Sequence, residues 1–393
     1  LYDAIIIGGG PSGLQTASIL ADSGFRVVLF DMNSEIGIEV VCSGVLSAEA
    51  FSRYDLPKQA IVGRLKDANL YSPAGISIPY SHPEESVVVV DRKIFDKKLA
   101  ERASKNGAEI RLNCKVSSVT VNDRYVKVDL KTLEGEMIAC ARICVIATGV
   151  NYHLQRSLGL GRPKKIIKGI QLEVDSIDLD RLSIYWGRKY SNGFFGWAIP
   201  LLDGRTRIGV MTEGNSQEAL ANTLSEFTYC TKSCTNTGRP KMRGIGFGTI
   251  HKSYSDRIIV VGEAAGQIKT TTGGGIYFGL IAAEIGSEVI TKAFKKASFE
   301  ARTLAEYEKK WKKMLGWEIT FGEYFHKFYS KLDDRSLDEL FVAAKEDALL
   351  SFIAKNGKFD WHRKTIIQIM RSPNLRRVLF NGFMRLAKTK EPL

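Results

Sequence analysis

The chain has 393 residues, 44% of them apolar and 25% charged, with a formal net charge of +13. This is the balance of an ordinary soluble globular protein, long enough for two packed domains or one large composite one. It excludes a membrane-spanning helix, because the longest apolar candidate, residues 273–290, is broken by glycines and by Glu284.

A strand starts almost at once, at Tyr2, so no secretory signal is expected. Residues 4–7, Ala-Ile-Ile-Ile, read as a buried parallel strand. A glycine cluster follows, then a helical pattern over 14–22 ended by Gly24, then a second strand over 26–30 closed by Asp31. Gly8-Gly9-Gly10-Pro11-Ser12-Gly13 lies between the first strand and the helix and fits GxGxxG. In that pattern Gly8 permits the tight turn, Gly10 lets the backbone approach a pyrophosphate, and Gly13 lets helix and strand pack closely. The helix start offers free N–H groups and a partial positive charge to phosphates. Asp31, 18 residues after Gly13, is placed to accept hydrogen bonds from ribose hydroxyls. Together these predict a dinucleotide site without separating FAD from NAD.

The second block runs over 86–149. Residues 87–90 are apolar, and Asp91 is the expected N-cap of an amphipathic helix over 92–99. Strands are expected over 109–121, 126–130 and 141–148, the last ending at Gly149. Cys140 and Cys144 lie in or beside that strand and are expected as packing residues. Cys230 and Cys234 have CxxxC spacing with no second ligand pair nearby, so no metal site is expected, and a local disulfide stays open. The expected cytosolic compartment keeps most cysteines reduced.

Residues 164–249 alternate like an antiparallel sheet. A third block follows over 257–290, with a buried strand at 258–261, then Gly262-Glu263-Ala264-Ala265-Gly266 and a helix start at Gly273-Gly274-Gly275. Beyond Phe299 the chain reads as helices rich in Lys, Arg and aromatics. The expected fold is therefore α/β: a discontinuous Rossmann-like cofactor domain (1–163 and 250–298), an inserted antiparallel β-sheet substrate domain (164–249) and a C-terminal helical region (299–393).

Val261-Gly262-Glu263-Ala264-Ala265-Gly266 resembles the second FAD motif of the p-hydroxybenzoate hydroxylase superfamily. That resemblance implies FAD, with Glu263, in place of the usual Asp, holding the ribityl chain. Gly273-Gly274-Gly275-Ile276 would start the helix aimed at the flavin pyrimidine edge. Cys42-Ser43-Gly44, Asp91-Arg92 with Phe95-Asp96, and the run from Gly266-Gln267 to Gly275 narrow the resemblance to the geranylgeranyl reductase family, whose archaeal members saturate isoprenoid chains of membrane lipids. It covers about residues 2–300 and, more loosely, the tail. It implies FAD contacts at Gly13, Asp31, Cys42, Ser43, Gly44, Arg92, Val116 (through its backbone), Glu263, Gly275 and Ile276. The family's cavity motif Tyr-x-Trp-x-Phe-Pro is replaced by Phe195-Gly196-Trp197-Ala198-Ile199-Pro200, which makes Phe195, Trp197 and Pro200 the expected substrate residues. Cys42 is the leading candidate to donate a proton or to position the substrate.

Flavin hydroxylases carry Asp-Gly where this chain has Thr148-Gly149, which argues against direct reduction by NADPH in their manner. The electron donor is left between a ferredoxin and a reduced nicotinamide. The basic tail, with Lys309-Lys310, Lys312-Lys313, Arg363-Lys364, Arg376-Arg377 and Lys388 interleaved with Trp311, Trp317, Phe321, Tyr324 and Phe325, suits anionic lipid headgroups on the inner face of the cell membrane or an acidic ferredoxin. No nucleic-acid motif accompanies the charge. The competing readings are a monooxygenase or halogenase of the same fold, a quinone-linked electron-transfer dehydrogenase, and a non-catalytic FAD-dependent lipid-binding protein. The sequence has no Trp-x-Trp-x-Ile-Pro halogenase signature and no cysteine set for an iron–sulfur cluster in its C-terminal third.

Overall fold

The computed structural model describes residues 1–81, 87–175, 177, 179–227, 238–346, 353 and 357–389. Its central sheet forms because four short apolar runs can bury both faces at once. Tyr2–Ile7 pairs in parallel with Val27–Phe30 on one side and with the end of Gly135–Ile146 on the other, Ile5 facing Val28 and Cys144. Ile258–Val260 joins in parallel beyond Gly135–Ile146, and Glu109–Arg111 beyond Val27–Phe30. Three sequence blocks thus meet in one layer, and their carboxyl ends line up where a ligand binds in an open α/β sheet.

The helix Pro11–Asp22 covers this sheet and packs on Ile276–Lys295. Asp91 caps Arg92–Lys105 as expected, its Oδ1 accepting from Lys93 N at 2.8 Å and Ile94 N at 3.0 Å. The strand expected over 109–121 is two strands, Glu109–Arg111 and Lys115–Val121. Asn113, at φ 54°, breaks it, and Cys114 N turns back to donate to Asp31 O. Cys144 is fully buried, and burial raises its thiol pKa. Cys140 is half-buried, and Cys230 and Cys234 lie outside the described residues.

The second sheet runs Lys241–Phe247, Lys165–Val174, Thr206–Thr212, Phe195–Pro200, Leu182–Trp186, Asp67–Tyr71, Ser77–Ser81. It differs from the expected inserted unit in two ways. Its last two strands come from the segment assigned to the cofactor domain, and Leu182–Trp186 pairs with Asp67–Tyr71 in parallel, so the sheet is mixed. The alternation over 67–71 is too short to say which sheet will take it. One face packs on the helix Ser216–Ser225 through Ile170, Leu172, Ile208 and Val210.

The tail is fastened to the central sheet and its flanking segment by buried aromatics. On Ala301–Trp311, Tyr307 donates to Val260 O at 2.8 Å and accepts from Gln267 Nε2 at 2.8 Å. Trp311 Nε1 donates to Ser253 Oγ at 2.9 Å. Trp311, grouped from sequence with surface aromatics, is a core residue at 1% exposure. A π-helical turn, Lys312–Gly316, leads into Trp317–Tyr329, followed by Asp334–Glu346, Arg363–Arg371 and Pro373–Thr389. Among the described residues no helix is long and apolar enough to cross a membrane.

Candidate active site

One cavity of about 970 Å³ runs along the carboxyl ends of the central strands, from the Gly8–Ser12 turn to the second sheet. Its start is built by sterics. Gly8 has φ 110°, and a Cβ there would meet Ala147 O at 2.5 Å. A Cβ on Gly13 would lie 2.0 Å from Gly8 O and 3.2 Å from Ala147 Cβ, so only glycine allows this helix to sit so close to the strand. Gly13 therefore packs behind the cavity rather than lining it. At Gly10 a Cβ would meet nothing within 4 Å among the described residues, which is open space beside the first N–H groups of a helix with no side-chain cap. That cradle fits a dinucleotide pyrophosphate. Asp31 is aimed by backbone donors, Oδ2 accepting from Gly9 N at 2.6 Å and Oδ1 from Asn33 N at 2.8 Å.

Cys42, Ser43, Arg92 and Val116 also line the cavity. Arg92 is not a free cation. Its guanidinium grips Asp96 twice, at 3.0 and 2.7 Å, and also lies beside Cys42. Burial, the largest effect, works against its charge, but Asp96 and Cys42 outweigh it and raise its pKa. Cys42 Sγ accepts from Gly44 N at 3.4 Å. Gly44 is not a lining residue. It turns the chain at φ 75°, where a Cβ would lie 2.4 Å from Val90 O.

Glu263, Gly275 and Ile276 close the far side. Gly275 is the N-cap and Ile276 the first residue of Ile276–Lys295. The Glu263 carboxylate pairs with Arg243 from the second sheet. That sheet also supplies Phe195, Trp197, Ile199, Met211 and Ile245 as an apolar wall. Trp197 fills the gap left by Gly209, where a Cβ would meet the indole at 2.4 Å, and among the described residues its buried Nε1 has no hydrogen-bond partner. Pro200 is not part of the lining; it ends its strand opposite Thr206. Thr148 lines the cavity with its hydroxyl donating to Asn151 O at 2.8 Å.

Sequence reasoning missed several groups. Lys269 and Asp360 line the cavity as a buried ion pair at 2.7 Å, the Asp arriving from the tail. Thr271 Oγ1 meets His362 Nδ1 at 2.5 Å, and Trp361 Nε1 donates to Glu49 Oε1 at 3.1 Å, contacts that hold Phe359 and Asp360 against one side of the cavity. Gln171, Arg207 and Arg243 were missed because a polar residue in an alternating strand ordinarily marks the solvent face. Asp360 had no local signal at all. The run from Gly266 to Gly275 drew attention to its glycines, not to Lys269 inside it.

A family model described as FAD dependent oxidoreductase matches residues 80–278, and a second of that description matches 3–150. The chain is 30% identical over 360 residues to the digeranylgeranylglycerophospholipid reductase of Methanocaldococcus jannaschii, covering 88% of this chain and 91% of that one. It is 28% identical to the enzyme of the same name from Methanosarcina acetivorans, over 94% of this chain and 97% of that one. Among solved structures, a geranylgeranyl bacteriochlorophyll reductase-like protein from Thermoplasma acidophilum superposes with a TM-score of 0.84 at 21% identity, covering 98% of this chain and 99% of that one.

Proposed function

Because the chain belongs to the FAD-dependent oxidoreductases, in the family of the archaeal digeranylgeranylglycerophospholipid reductases, we propose that it saturates isolated C=C bonds in the geranylgeranyl chains of an archaeal-type membrane lipid. The observation that carries this reading is the apolar wall of Phe195, Trp197, Ile199, Met211 and Ile245, continuous with the dinucleotide cradle. An isolated alkene has no carbonyl to absorb charge, so its reduction needs a dry site and a proton close to the second carbon. FAD, when bound and reduced, supplies the hydride.

The chain does the rest. Gly8, Gly10 and the helix start take the pyrophosphate, while Gly13 permits the close approach behind them. Asp31 takes the ribose hydroxyls and Glu263 the ribityl chain. Gly275 and Ile276 face the pyrimidine edge, with Ser43, Arg92 and the Val116 backbone completing the cofactor site and Gly44 turning the chain behind it. Phe195 and Trp197 exclude water along the substrate, and Pro200 ends the strand that carries them. Cys42 Sγ holds the proton, or the position, that the alkene needs.

Electrons come from a ferredoxin or a reduced nicotinamide. The tail makes a peripheral membrane contact: Met314, Trp317 and Tyr324 are exposed on it, beside exposed Lys312, Lys313 and Lys327. The test is anaerobic reduction with dithionite, addition of a geranylgeranyl lipid, and mass spectrometry of the product. A gain of one H₂ per double bond supports the proposal, and oxygen insertion or an unchanged lipid sinks it. Cys42→Ala, with normal FAD content, is expected to lose most of that reduction.

A further inference from the structure

The face of the second sheet turned toward the cavity is only half apolar. Along Lys165–Val174 the strand alternation puts Ile170, Leu172 and Val174 into the core behind the sheet and Gly169, Gln171 and Glu173 on the opposite face. Register brings Gly209 opposite Gln171, Arg207 opposite Glu173 and Arg243 opposite Gly169. Three polar side chains from three adjacent strands therefore share this face with Trp197, which fills the space above Gly209.

These three side chains reach three successive carbonyls of one loop. Arg243 Nη1 donates to Val41 O at 3.4 Å, Gln171 Nε2 to Cys42 O at 3.0 Å and Arg207 Nη1 to Ser43 O at 2.6 Å. Residues 40–44 are neither helix nor strand, so these carbonyls have no ladder to belong to. The donors are themselves fixed. Arg207, 7% exposed, is forked onto Glu173 Oε1 at 3.0 and 2.8 Å, and Arg243 is paired with Glu263. Gln171 is wedged where a Cβ on Gly209 would lie 2.7 Å from its own Cβ.

We propose that Gln171, Arg207 and Arg243 are positioning residues that clamp the Cys42 loop by its backbone to the sheet that also forms the substrate wall. The cysteine and the wall then sit on one rigid element, and their spacing does not depend on a loop holding itself in place. Two of the three bonds come from guanidinium groups, the stronger class of donor. The clamp also explains why an antiparallel strand carries charged residues on an inward face. A misplacement of about 1 Å at a reacting group costs about 100-fold in rate, so a clamp on three consecutive carbonyls has kinetic consequences.

This inference rests on the reading of Cys42 as the group facing the substrate, and its test separates the two. The FAD-loaded full chain is compared with Gln171→Leu, which removes the middle donor, and with Arg207→Lys, which keeps the charge toward Glu173 and loses the fork. Alkylation of Cys42 by iodoacetamide, followed by peptide mass spectrometry, reads the loop directly. Both variants are expected to raise that rate at least about 5-fold and to lower kcat by about 10- to 100-fold with KM within about 2-fold. Lys is expected to do less damage than Leu. Wild-type alkylation rates in both variants overturn the clamp, whatever Cys42→Ala does to activity. If Cys42→Ala leaves reduction intact while both variants expose the thiol, the clamp stands and the role of the thiol falls.

Discussion

Asp360→Leu removes one half of a pair that two distant segments bring together. Lys269 Nζ lies 2.7 Å from Asp360 Oδ1, with side-chain exposures of 7% and 2%. After the substitution the ammonium keeps, among the described residues, Phe359, through its carbonyl at 3.4 Å and its ring at 4.2 Å. Removing one partner of a buried pair costs about 3–5 kcal/mol, because a charge is left without compensation, whereas replacing both with apolar groups of like volume is about neutral or better. Among the described residues Asp360 Oδ2 has no hydrogen-bond partner even in the intact pair, which lowers the net worth of the pair further. Asp360→Leu and Lys269→Met are therefore each expected to lose about 3 kcal/mol, and the double variant to come within about 1 kcal/mol of wild type. With a urea slope of about 3 kcal/mol/M the single variants unfold about 1 M earlier. Trp361, next to the pair, makes tryptophan fluorescence a direct reporter. A double variant as unstable as the sum of the singles would refute the reasoning, and would mean that the two residues act through separate contacts.

Gly209→Ala is expected to push Trp197 off the sheet, since the new Cβ would lie 2.4 Å from the indole; FAD is retained and KM for the lipid rises about 10-fold in steady-state assays. His362 is pushed down to about 4, chiefly by burial and then by Lys269. Its folded pKa lies below the ordinary 6.5, so the unfolded chain binds the extra proton between those values. The stability it contributes is present above pH 6.5 and is lost as pH falls toward 4. Hydrogen exchange at the amides of Arg363–Arg371 should accelerate over that window, and His362→Gln should flatten the response. Trp317→Ala with Tyr324→Ala should cut co-sedimentation with anionic vesicles at low salt while leaving FAD content unchanged; undiminished binding removes the membrane contact from this helix.

The cofactor end of the site was legible because its chemistry is local. Gly8, Gly10, Gly13 and Asp31 lie within 24 residues, and at Gly8 and Gly13 the packing admits only glycine, so spacing suffices to point to a candidate cradle. Asp91 is similar: a cap is a contact across three residues. Phe195 and Trp197 were found through a motif, while Pro200 came with the motif and lies outside the lining. Gly44 and Gly13 came with their motifs too, and the structure puts both behind the cavity surface rather than on it.

Other features depended on which chain segments meet. Strands 67–71 and 77–81 carry no mark of the sheet they join, because pairing is decided by neighbours far away in sequence. Lys269 and Asp360 are 91 residues apart and each reads alone as a surface charge. The same holds for Gln171, Arg207 and Arg243, whose donors count only once sheet register turns them inward to the loop of Cys42. By itself the sequence pointed to a candidate nucleotide cradle of GxGxxG and Asp31, since the geometry of that turn is short-range and steric. Only the tertiary structure decided what bonds to the Cys42 loop, what seals the cavity and what lies beside the apolar wall, because each is a contact between residues far apart in sequence.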